Sequence, residues 1–218
     1  MNPAQLAARQ SILAGPRLRV VNKLTFSAAA ASLAMDVPKI QGLLCVKAIF
    51  SFGGNATPGT PTGFTNLNNA AAGASIPGLR LAYKFLDGSE ANSLSSAATS
   101  ATEMMAVAWL IRGALRAYVP TGGNTSGTSA TANHGTLTIP AGGSCRMVLF
   151  ANMWRTTQTI TQLPQDVRVD PSTLVQLQST SFLYGFEANF ERNALPATTV
   201  IGSASAGYRS TTIAVRGQ

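Results

Sequence analysis

The sequence predicts an all-β antiparallel sandwich carrying one or two short helices. Three observations carry that expectation. About eight short segments are rich in apolar, β-branched and aromatic residues over strand-like lengths. Stretches dense in Gly, Pro, Thr and Asn punctuate them. Neither a βαβ rhythm nor a repeat of fixed period appears. A chain of 218 residues has the length of one such sandwich. The expected organisation is an arm over 1–16 and a single domain over 17–218 of jelly-roll type.

The elements are read in chain order. Within residues 1–15, Leu6, Ile12 and Leu13 fall roughly on one helical face with Arg9 nearby, until Gly15 and Pro16 break the pattern. Arg17, Arg19 and Lys23 then alternate in part with Leu18, Val20 and Leu24, which predicts a strand with one cationic face. Two strands fit 31–37 and 43–52, separated by Pro38 and Gly42, the second interrupted by Lys47. Residues 53–77, opening on GGNATPGTPTGF, read as loop. In GLRLAYKFLDG, 78–88, Leu79, Leu81, Tyr83 and Phe85 share one face, and Asp87-Gly88 makes the turn.

Ser100 and Glu103 have capping-box spacing ahead of an apolar run, which predicts a helix over 101–114. The rival is a buried strand through AVAWLIRGALRAYV, because Gly113 weakens a helix. TGGNTSGTSATANHG, 121–135, reads as a second flexible loop. TLTIP at 136–140 and CRMVLFANMW at 145–154 read as strands. Asp170 before Pro171 suits one short helical turn within 171–177. FLYGFEANF, 182–190, puts Phe182, Tyr184, Phe186, Ala188 and Phe190 on one face, and GYRSTTIAVRG, 207–217, is the last strand.

Charge narrows the function classes. Only 11% of residues are charged, where about 25% is usual. A surface so poor in charge needs another cover, either neighbouring subunits or uncharged polar side chains. Sixteen Lys and Arg against eight Asp and Glu give +8 and a pI near 10.2, which draws polyanions. The cations are scattered, so a base-reading segment is not expected. Arg9, Arg17, Arg19 and Lys23 are the candidate polyanion or assembly contacts. Cys45 and Cys145 sit in apolar runs and read as buried free thiols rather than a disulfide, and neither belongs to a CxxC pair. The first residues lack the apolar core of a secretory signal, and MMAVAWLI at 104–111 is too short to span a membrane.

Catalytic chemistry has little to work with. His134 is the only histidine and is expected to be solvated in its Gly/Thr/Ser loop, so a Ser–His–acid triad is not expected. No GxSxG surrounds a serine. Glu187 and Glu191 lie four apart on a strand, roughly 13 Å by strand rise, beyond the separation of glycosidase pairs. Asp166 and Asp170 bracket Arg168 as a local ion-pair cluster. Neither GGN, at 53–55 or 122–124, is followed by the Lys-Ser/Thr of a phosphate loop. Trp109, Trp154 and the 182–190 face read as core rather than base-stacking platforms. No catalytic, cofactor-binding or metal residue is assigned, and no cofactor is expected. The expected role is a non-enzymatic structural protein that assembles with copies of itself. The alternative is a binding module, such as a phage tail or fibre component or a carbohydrate-binding sandwich, with its pocket at the loops 53–77 and 121–135.

DVPKIQGLLCVKAIFSFGG, a Gly/Thr/Pro loop and then GLRLAYKFLDGSEANSLSS resemble a passage of the jelly-roll capsid proteins of tailless, icosahedral bacterial viruses. The matching residues are Pro38, Gly42, Leu43, Leu44, Arg80, Asp87 and Gly88, and TLTIPAGGSCRMVLF is similar to a later strand pair of that family. The resemblance spans about half the chain and consists of strand-and-turn grammar. It implies a jelly roll and a capsid role in a virion whose subunits are made in the host cytoplasm. It also implies partners: copies of itself, other capsid proteins, and viral nucleic acid or an anionic internal membrane met through basic residues. The start lacks the long Arg-rich arm of many RNA-virus coats, and the length has room for one jelly roll, as in a small or minor capsid component.

Overall fold

Every second residue of a strand faces the same way, so each long strand here sends one row of side chains into a common interior. The structure is a computed structural model that describes residues 18–54, 57–90, 94–139, 141, 145–165, 167–190 and 194–217. The expected arm over 1–16, with Arg9, and Arg17 just after it, lies outside these residues.

The first half of the chain supplies β1 (Arg19–Ala28), β2 (Ser32–Ala34), β3 (Leu44–Phe52), β4 (Thr65–Ala70), β5 (Gly78–Phe85), β6 (Ser95–Ala97) and β7 (Glu103–Arg112). Five of these form an antiparallel sheet in the order β1-β7-β3-β5-β4, while β2 and β6 pair as a ribbon. The second half supplies β8 (Thr121–His134), β9 (Leu137–Thr138), β10 (Cys145–Trp154), β11 (Ile160–Gln162), β12 (Val175–Gln178), β13 (Phe182–Asn189), β14 (Ala194–Leu195) and β15 (Thr198–Gly217). Its sheet runs β11-β15-β10-β13-β12, with β8 also on β15, and β9 pairs with β14. The described residues therefore form an all-β sandwich of two antiparallel sheets.

Each sheet is filled from its own half of the chain. A jelly roll exchanges strands between its sheets along the chain, so this pairing does not show jelly-roll wiring. The interior between the sheets holds Leu44, Val46, Phe50, Leu79, Leu81, Val107 and Trp109 from the first sheet against Met147, Leu149, Met153, Leu183 and Ile213 from the second. Gly185 marks a close approach of the sheets, since a Cβ there would stand 3.1 Å from Val107 and 3.2 Å from Trp109.

Both sheets are also covered on their outer faces. The β2–β6 ribbon covers Ile49, Met104 and Ala106, and flanking loops cover Cys45, Ala82, Ala108 and Leu110. On the second sheet, β15 bends at a register shift between Ile201 and Ala206. Its first turns, with β8, fold over Phe150, Trp154, Phe182, Tyr184 and Phe186. The aromatic face expected for 182–190 is buried there, with Phe186 stacked on Phe150 at 4.7 Å between centroids.

Double coverage explains where the sequence misleads. β7 is buried on both faces, so its run is continuous rather than alternating and has no strand period to show. The helix expected over 101–114 is this strand. Ser100 is not a helix cap: it sits in a left-handed turn at φ 63°, and Glu103 accepts from Thr180 Oγ1 at 2.7 Å. The loop expected over 121–135 is the 14-residue strand β8. Its small residues fit because a Cβ at Gly122 or Gly127 would press on Leu81 or Tyr208, and its register is imposed by β15. The 53–77 loop contains β4, and the turn expected in 171–177 is a single 3-10 turn, Pro171–Thr173, followed by β12. Cys45 is a buried free thiol, pushed up to about 12 by burial.

Candidate functional site

The N-terminal strand places the basic residues that the sequence singles out, and a bulge separates them. Arg19 pairs with Arg112 and Val20 with Ile111, but the register then skips Val21, so that Asn22 meets Leu110 and Lys23 meets Trp109. One extra residue turns every following side chain to the opposite face. Lys23 therefore points into the sandwich edge, where it forms an ion pair with Glu187 of β13 and donates to the Thr173 carbonyl. Arg19 stays on the outer face, exposed and directly opposite the exposed Arg112. The cationic strand face expected from alternation does not form. Lys23 holds the two sheets together, and Arg19 is left to meet solvent or a partner.

Beside β1 lies a cleft of about 920 Å³. Leu18, Arg19 and Val20 form one wall, the segment 167–170 with Thr173 forms the other, and Met147 with the end of β13 lines the remainder. Its apolar lining comes from Leu18, Val20, Met147, Val167 and Phe190, and its exposed charges are Arg19, Arg168 and Asp170. Both cleft carboxylates are engaged. Asp170 accepts from the Ser172 backbone N–H at 2.9 Å and the Ser172 hydroxyl at 2.7 Å, which hold it below its ordinary value. Burial pushes Glu187 up, against the pull of Lys23. The expected Asp166–Arg168–Asp170 cluster is described only in part, because Asp166 lies outside the described residues, and so does Glu191. The arrangement can take up a polar or anionic ligand; nothing on its walls pairs a nucleophile with a free base.

His134 departs most from expectation. It is fully buried, and its ring meets Phe150 edge-on at 5.2 Å. A carbonyl can only accept, so Nδ1 carries the proton and donates to Thr211 O at 3.1 Å. The Tyr184 hydroxyl then donates to Nε2 at 2.7 Å. Burial pushes His134 down to about 3 and Tyr184 well above its ordinary value. His134 is a neutral pin joining β8, β13 and β15.

Other buried cations are also structural. Lys47 donates to Met35 O at 2.7 Å and stands 4.7 Å from the Phe64 centroid, and burial lowers its pKa. Arg209 binds Pro77 O, Ala71 O and Asn124 Oδ1, which clamps the loop before β5 against β15. That loop passes so close to Gly207 that a Cβ there would overlap the Ser75 carbonyl at 1.6 Å.

Sequence reasoning missed Arg112, Arg116 and Arg168 as companions of Arg19. The spacing of Arg112 and Arg116 around Gly113 marks a turn once 101–112 is read as strand, but the facing of Arg19 and Arg112 exists only in the register. Among the described residues, no group of three His, Cys, Asp or Glu could hold a metal ion, and no helix is long and apolar enough to cross a membrane.

No family model and no curated protein matches the chain. A search of solved structures pairs it with one described as "Crystal structure of PBSX exported protein XepA". That match spans 90% of this chain and 86% of that chain at 7% identity. Its TM-score is 0.23, a level that carries no argument.

Proposed function

We propose that this chain is a non-catalytic structural subunit that assembles with copies of itself into a closed shell, as a capsid protein does. The observation that supports it most is a surface with few charges: 11% of the chain is charged, and several of those charges are spent inside the fold. Lys23, Lys47, Glu103 and Arg209 are all buried or nearly so. What remains outside is mostly small and polar, suited to close packing against an identical neighbour.

The fold also restricts where copies meet. β1 and β12 each pair on one side only. The bulge at Val21 and the inward Lys23 blunt the β1 edge against sheet extension. At the β1 edge, contacts between copies would use side-chain faces rather than strand pairing; β4, β8, β11 and β12 also pair on one side only. Chromatography with light scattering tests this: the proposal expects a defined multimer, and a clean monomer at high concentration in both low and high salt would count against it.

The cleft beside β1 supports a second reading, a binding module. A soluble monomer that binds a glycan on an array, and loses it when Arg168 or Asn189 is changed, would favour that reading over the shell.

A further inference from the structure

We infer that the cleft beside β1 binds a small monocarboxylic acid, taking its carboxylate on Arg19 and Arg168 and its apolar body on the lining between the two sheets. This ligand assignment rests on the binding-module reading of that cleft. The cleft opens where the second sheet stops short. β12 covers β13 only from Phe182 to Gly185, so among the described residues no strand pairs with 186–189 on that side. The segment 167–170 stands across the gap, and the start of β1 forms the facing wall. Lys23 crosses the gap to Glu187 and to the Thr173 carbonyl, which holds the walls at a fixed separation. The space of about 920 Å³ lies within the ordinary size of a small-molecule site.

Its charges suit an anion. Arg19 and Arg168 stand on opposite walls, and neither has a hydrogen-bond or ion-pair partner among the described residues. The two acids that line the same space are satisfied within the fold. Asp170 accepts from the Ser172 backbone and hydroxyl, and Glu187 is paired with Lys23. Among the described residues, Lys23, Arg19 and Arg168 therefore stand against Asp170 and Glu187, three cations against two carboxylates, with one positive charge in excess. A guanidinium offers parallel N–H donors that match the two oxygens of a carboxylate. The exposed Asn189 amide adds an uncharged donor to the same lining.

The remaining lining selects what the carboxylate carries. Leu18, Val20, Met147, Val167 and Phe190 face the same space. Inorganic phosphate would use the arginines and leave these side chains in contact with water. A glycan would set hydroxyls against them without partners. Phe190, the one aromatic ring among the described lining residues, is only 8% exposed and offers little face for a sugar to stack on. An aliphatic or aromatic body attached to the carboxylate instead removes apolar surface from water, at about 25 cal/mol per Å². A bound acid touches β1 of one sheet and the 167–190 region of the other, so it also stabilises the folded chain.

The test is isothermal titration calorimetry of the full chain with octanoate, with octanol as its uncharged counterpart and inorganic phosphate as an anion without an apolar body. Two double variants accompany it: Arg19→Gln/Arg168→Gln in the cleft, and Lys39→Gln/Arg116→Gln, which removes the same charge outside it. All four positions are exposed, and thermal melts check that each variant folds. Saturable binding of octanoate is expected, with octanol and phosphate each weaker by about tenfold or more. The cleft variant should lose about tenfold in octanoate affinity, and the outside variant should stay within about twofold of the parent. Four outcomes would overturn the assignment: no saturable octanoate binding, octanol binding as tightly, phosphate binding as tightly, or equal weakening by both variants, which would reduce the effect to general surface charge. Arg168-dependent glycan binding without octanoate binding would overturn it and leave the binding-module reading standing. Absence of both ligands would remove the two together.

Discussion

At the scale of single residues, His134 shows how position overrides type. The sequence places it among Gly, Thr and Ser, where a histidine would titrate freely; the fold buries it neutral between Tyr184 and Thr211. Its folded pKa is near 3, while the unfolded chain takes up a proton below about 6.5. Between those values the unfolded state binds more protons, so stability is complete above the upper value and falls with pH down to the lower one. The loss is roughly 1.4 kcal/mol per pH unit within the window. Denaturant unfolding at pH near 7, 5.5 and 4.5 should show the parent losing stability relative to His134→Gln by about that slope. Parallel curves would mean that His134 can be protonated in the folded chain. Phe186, fully buried and stacked on Phe150, gives a second check. Phe186→Ala should cost about 3–5 kcal/mol, and a loss under about 1 would place that face against solvent or a partner.

At the scale of elements, legibility followed periodicity. β5, β10 and β13 are readable because one face differs from the other or because turn residues bracket them. β7 is not, because the β2–β6 ribbon covers Met104 and Ala106 and flanking loops cover Ala108, which erases the alternation. β8 is not, because its Thr, Ser and Gly residues carry turn chemistry locally and become a strand only on the long template of β15. The candidate site was legible as residue types but not as geometry. Alternation puts Arg19 and Lys23 on one face, whereas the bulge at Val21 sends them to opposite faces. The pairing of Lys23 with Glu187 follows from that bulge and crosses from one sheet to the other. Lys23→Met should cost about 3–5 kcal/mol, because it strands the Glu187 carboxylate. Adding Glu187→Leu should recover most of the loss in equilibrium unfolding. If the double variant stays as unstable as the single one, the pair contributes more than charge neutralisation.

At the scale of the whole molecule, charge is partitioned rather than merely scarce. Buried and edge cations lock the sandwich: Lys47 to Met35, Arg209 to the loop before β5, and Lys23 to Glu187. Among the described residues the exposed ones, Arg155 apart, gather at the end where Leu18 enters the fold, beside Val21, Ile40 and Val119. Among the described residues, the rest of the exterior is polar and carries few charges, the condition under which identical subunits can pack closely without like-charge repulsion. Electron microscopy of the purified chain, over a range of concentration and ionic strength, tests that claim most directly. The account predicts closed rings or shells built from one repeating subunit. A field of isolated monomers at the highest concentration and at every ionic strength would contradict it.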